Sequence, residues 1–281
     1  MNNRTTSNPA APAGGTSPTD AKPNVIILTS GISGSSVLTG LITRAGYWTG
    51  DKTHKKEYDT YENEGLIQLN LRLFREAAYT GDYASRFSAG DISRIAALSG
   101  NIDEQLFRQF LEYCNQHRPW IWKDPRLWLT ILFWKNFLPL EDCRFILLTR
   151  SFVHCWISSN LRRHITSYGD LKGYEQSIQR TFISFLNENR LPYLHLTYEG
   201  LIVQPKETIQ RLNAFLGTSL TVDDLAAIYH KPLYRAPRSS VLDFVKAVLI
   251  YLKNYSERVT DRAGRRQQTQ PEPVSKRRLH H

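Results

Sequence analysis

The sequence predicts an α/β fold with a largely parallel central sheet. Three observations carry this. Short apolar runs alternate with longer segments of helical periodicity along most of the chain. The first run, "VIILT", passes through a loop of small residues straight into a helical pattern. The chain is also long enough for one sizeable core, with 281 residues of which 41% are hydrophobic and 11% aromatic.

In order, strands are expected at Val25–Thr29, Trp120–Lys123, Arg144–Thr149 and Tyr193–Thr197. Helical patterns fill the gaps at Ser36–Arg44, Glu62–Ala78, Asp103–His117, Leu127–Phe137, Val153–Ile165, Tyr174–Asn189 and Lys206–Leu216. The last of these has a starting Pro205 and a terminating Gly217, which fixes both ends. Patterning is weaker from Asp51 to Asn101, which reads as a loop-rich substrate surface. A closing helix, from Ser240 to Arg258, carries an apolar stripe of Val241, Leu242, Val245, Val248, Leu249 and Leu252. Such a stripe most often packs on its own domain; with Lys246 and Lys253 beside it, it can also lean on an anionic membrane as a peripheral contact.

Three segments follow from composition. Residues 1–22 are rich in Pro, Gly, Ser, Thr and Asn without an apolar signal core, so a disordered lead is expected. The folded domain then spans 23–255, and 256–281 forms a basic tail with few apolar residues, also expected to be disordered. The net charge is +10, but Glu257 to His281 alone holds seven Lys/Arg against three acids. The charge left on the middle suits an anionic small molecule better than a duplex, and no nucleic-acid-binding module is recognisable. Cys114, Cys143 and Cys155 show neither metal-type clustering nor a complete disulfide framework, which fits a reducing, cytoplasmic setting.

The loop "TSGISGSSVLTG" joins the first strand to the first helix. Gly31 and Gly34 allow turns that would strain other residues. The arrangement aims backbone amides and a helix N-terminus at one spot, an anion site to which Ser33, Ser35 and Ser36 add hydroxyls. The lysine of an ATP- or GTP-binding Walker loop is missing. A second anion site follows another strand: Arg150 sits at the strand's C-terminal end, and Ser158 lies eight residues on in the next helix.

These two features together resemble the sulfotransferase superfamily. In that family the strand–loop–helix holds the 5′-phosphosulfate of PAPS (3′-phosphoadenosine 5′-phosphosulfate), and an Arg…Ser pair eight apart holds the 3′-phosphate. "LHLTYEGLIVQPKETIQRLNAFLG" is similar to the family's Tyr-Glu-Asp segment, with Gly200 where Asp is usual. "IWKDPRLWLTILFW" and "YENEGLIQLNLRLF" resemble segments of bacterial members. The resemblance implies a P-loop NTPase-like three-layer fold and PAPS as co-substrate without a metal. It also implies a small-molecule or glycan acceptor, with the nucleotide held by Gly31, Ile32, Ser33, Gly34, Ser35, Ser36, Arg150 and Ser158. Arg235 and Arg238, in a late basic loop, match by position and character. One departure stands out: the family's loop usually carries Lys or Arg where this chain has Ile32. Lys52 and Lys123 are the candidates to supply that charge.

For the base that accepts the acceptor's proton, Glu62, His54, Asp124 and His164 are available. Glu62 is the choice, placed on the helix after the loop; its structural alternative is a helix-start acid. Lys123 reads as an electrophilic group, and Asp124 as a helix cap around Pro125. Arg126 is a weaker contact candidate. Tyr47, Trp48, Tyr58 and Tyr61 can stack on a sugar or belong to the core. Two other functions remain open at this point: a nucleotide-binding but inactive relative, favoured by Ile32, and a kinase or NTPase, disfavoured by the missing lysine.

Overall fold

The computed structural model describes residues 22–55, 58–81, 87–162, 167–228 and 240–254. Its sheet is made of β1 (Asn24–Thr29), β4 (Ile121–Lys123), β5 (Cys143–Thr149) and β6 (Tyr193–Thr197), in the order β4-β1-β5-β6. Every pairing is parallel, with Ile26 opposite Trp122 on one side and Phe145 on the other. Parallel strands covered on both faces become continuous apolar runs, and β1 is buried along its whole length.

Alternate residues face opposite layers. Ile26, Leu28, Phe145 and Leu147 join one core cluster. That face is covered by α2 (Glu64–Glu76), α3 (Ala89–Ala96), α4 (Gln105–Asn115), α5 (Leu127–Trp134), α6 (Phe152–Leu161) and α7 (Tyr168–Glu188). Val25, Ile27, Ile146 and Leu148 join the other cluster, under α1 (Ser35–Thr43), α8 (Tyr198–Val203), α9 (Pro205–Leu216) and α10 (Val222–Ile228). The result is the three-layer α/β arrangement that the sequence predicts. Helix α5 is apolar except for Thr130 and buried except for the half-buried Leu132, with Trp128 and Trp134 fully buried. Pro205 opens α9 and Gly217, in the left-handed conformation, closes it.

Several elements differ from expectation. The stretch read as loop-rich contains an antiparallel pair, β2 (Thr53–Lys55) and β3 (Asp59–Asn63), and helix α3 with a Ser88/Asp91 capping box. His54, expected in a loop, lies in β2. Helix α7 begins six residues early, where the Ser167 hydroxyl accepts from the Asp170 amide. Of the aromatic residues offered to a sugar, Tyr47 is buried, its hydroxyl pushed up to about 12 by desolvation. Trp48 stacks on His117. The final helix, α11 (Ser240–Lys253), packs on α6, but most of its expected core stripe faces outward.

Candidate active site

After β1 the chain moves toward β4, and after β5 it moves to β6, so the carboxyl ends of these two neighbours diverge. Open α/β sheets bind ligands in such a crevice. The β1–α1 loop and Arg150 both lie there. Arg150 Nη1 donates to the carbonyl of Ile32 at 3.2 Å, and its guanidinium lies 4.9 Å from the centroid of the Tyr198 ring. Its Nε is buried without a hydrogen-bond partner among the described residues. The guanidinium carries a permanent charge beside the loop.

Gly34 is the N-cap of α1, with φ 80° and no capping side chain. A Cβ there would stand 2.2 Å from Tyr198 Cδ2, so glycine is required both by the backbone and by the ring. The first turn of α1 holds no acidic residue, which leaves the helix dipole and its free amides for an outside anion. The Ser33 hydroxyl contacts that of Thr29 and donates to the Ser30 carbonyl at 3.0 Å. These bonds turn the hydroxyl into the loop and stiffen it. Ser36, half-buried, stays at the helix start.

Lys123 ends β4 next to β1 and is 2% exposed. Its Nζ lies 2.5 Å from Glu62 Oε1 and 3.4 Å from Ser36 Oγ. Glu62 is not on a helix, as the sequence suggested, but next to last in β3; Asn63 follows it as the N-cap of α2, accepting from Gly65 and Leu66. Strand β3 brings the carboxylate across to β4. Asp124 is fully buried and accepts from the Arg126 amide and guanidinium at 2.9 and 2.8 Å, and from Asn70 at 2.8 Å. Asn70 in turn accepts from Trp134 Nε1 at 2.8 Å. This network fixes the end of β4, and with it the root of Lys123; Asp124 and Arg126 are committed to it.

Not every expected residue meets this cluster. Ser158 sits two turns into α6, half-buried, and Lys52 is exposed on the approach to β2. Arg235, Arg238, Lys231 and His164 lie outside the described residues. Three further residues shape the crevice through contacts that the sequence does not specify. Tyr198 forms the platform under Arg150, while Glu199 accepts from the Ser151 amide at 3.0 Å and fixes the start of α6. Glu175, on α7, is hydrogen-bonded to Ser30 behind the loop; burial raises its carboxyl, and that bond pulls the other way. Tyr198 and Glu199 belong to the segment that resembles the family's Tyr-Glu-Asp, though their contacts could not be read from it; nothing local marks Glu175. Among the described residues no cluster of His, Cys, Asp and Glu is arranged to hold a metal, and no helix is long and apolar enough to cross a membrane.

A family model described as the sulfotransferase family matches residues 33–223, opening inside the β1–α1 loop. Among solved structures, the sulfotransferase domain of the Synechococcus PCC 7002 olefin synthase is similar over 85% of this chain and 98% of its own, at 16% identity and a TM-score of 0.48. The sulfotransferase domain from the curacin biosynthetic pathway is similar over 78% and 82%, at 15% identity and a TM-score of 0.48. A sulfotransferase from Mycobacterium tuberculosis is similar over 82% and 76%, at 13% identity and a TM-score of 0.37. No curated protein matches the chain.

Proposed function

Because the chain belongs to the sulfotransferase family, we propose that it moves a sulfuryl group from PAPS to an acceptor hydroxyl or amine, releasing adenosine 3′,5′-bisphosphate. The observation that carries this reading is the position of Lys123. Its ammonium, 3.4 Å from Ser36 Oγ, stands at the positive end of α1. It supplies there the charge that Ile32 cannot.

In this reading the amides of Gly31 to Ser36 cradle the phosphosulfate, and Lys123 neutralises charge that develops on the bridging oxygen. Arg150 and Ser158 take the 3′-phosphate, with Arg235 and Arg238 closing over it. The acceptor oxygen attacks sulfur in line with the departing phosphate oxygen. The S–O bond to the phosphate breaks and its electron pair leaves with the nucleotide, while the acceptor proton passes to the Glu62 carboxylate. Lys123 and Glu62 neutralise one another in the free protein; an incoming anion draws the ammonium away and frees the carboxylate as a base. The acceptor is a small molecule or glycan, and the cytoplasm is the expected setting. The Lys123 position favours this over an inactive nucleotide-binding relative.

The test is thermal unfolding with adenosine 3′,5′-bisphosphate or ATP, each with and without Mg²⁺, followed by transfer of labelled sulfate to extracts of candidate acceptors. Stabilisation by the bisphosphate without Mg²⁺, together with label transfer, is expected. Stabilisation by ATP and Mg²⁺ alone would point to a kinase or NTPase. Bisphosphate binding without transfer would mark an inactive relative.

A further inference from the structure

Helix α11 lies beyond the family match, which ends at residue 223. It docks on α6 through one face only. Ala247 is fully buried in that contact, and the Phe244 and Tyr251 rings lie 5.6 and 6.3 Å from that of Trp156. At 3.6 residues per turn, Val241, Leu242, Val245, Leu249 and Leu252 share a sector of about 100° on the opposite side. They are 67%, 71%, 47%, 61% and 62% exposed. Lys246 and Lys253, both exposed, border the stripe. Five adjacent apolar side chains left in water form a patch, not scattered surface residues.

Charge indicates what covers it. Residues 229–239, before the helix, carry Lys231, Arg235 and Arg238 and no acid; residues 254–281, after it, carry seven Lys/Arg against three acids. A second copy laid stripe against stripe, parallel or antiparallel, would set basic flank against basic flank. An anionic lipid surface accepts both features. Apolar side chains enter the acyl boundary, and the lysines and basic flanks are drawn to the headgroup phosphates. We propose that the outer face of α11 docks this protein on an anionic membrane surface. The inference is independent of the sulfotransferase reading and would bring the crevice to membrane-associated acceptors.

The test is co-sedimentation of the full chain with phosphatidylcholine vesicles, with and without phosphatidylglycerol, alongside light scattering of the protein alone. Wild type is expected to sediment with the anionic vesicles and to be released by salt. Leu242→Asn combined with Leu249→Asn and Leu252→Asn is expected to weaken the partitioning at least tenfold. These positions are exposed, and an unchanged unfolding temperature checks that the fold is intact. Absence of sedimentation overturns the proposal. So does sedimentation that the Asn variant retains, which would assign binding to the basic segments alone, or a dimer that the same substitutions disperse without any vesicle binding.

Discussion

Lys123 and Glu62 form a largely enclosed ion pair, to which the proposed reaction assigns both the electrophile and the base. The lysine is almost completely enclosed, so removing it leaves a poorly solvated carboxylate behind. Lys123→Met is expected to lower the transfer rate about 100-fold and to destabilise the protein by up to about 3 kcal/mol. Adding Glu62→Gln is expected to restore stability, since the orphaned charge disappears, but not the rate. Urea unfolding and turnover on the three variants check this; a double variant that regains turnover would remove Lys123 from the chemistry. The lysine itself was legible in the sequence, because it ends an apolar strand ahead of Asp-Pro. Its partner's setting was not. Glu62 reads locally as the start of a helical pattern, and only the turn into β3, with Asn63 taking the cap, shows that it belongs to a strand.

Helix α7 shows how one element supports another. It runs behind the β1–α1 loop and sets the Glu175 carboxyl against Ser30, where burial raises its pKa from an ordinary 4.5. The folded protein therefore holds this proton more tightly than the unfolded chain does. As pH rises from about 4.5 through the folded-state value, the unfolded chain loses its proton first, and this group's contribution to stability falls. Urea unfolding across that window is expected to show a smaller loss of stability with rising pH for Glu175→Gln than for wild type; equal slopes would mean that the carboxyl is solvated. The buried strands and the long amphipathic helices were readable because burial on one or both faces leaves a period in the sequence. The short strands "THK" and "DTYEN" were not, since neither alternates. Helix α3 had a legible signal in its Ser88…Asp91 box, which the weak apolar pattern around it masked.

Across the molecule, the fold and the two strand–turn–helix segments proposed to bind anions could be read from the chain, because each is a local event. What joins them could not. Tyr198 reaches Gly34 and Arg150 from the far edge of the sheet, and that meeting exists only once β5 and β6 have paired. In the proposed function the loop and Arg150 grip opposite ends of one nucleotide across the crevice between β1 and β5. Titration calorimetry with adenosine 3′,5′-bisphosphate and with adenosine 5′-monophosphate, on wild type and Arg150→Ala, tests it most directly. The account predicts that the substitution weakens the bisphosphate by about 1.5–3 kcal/mol, the value of a hydrogen bond to a charged group, and leaves the monophosphate unchanged. Equal losses for both ligands, or no loss for either, would contradict it.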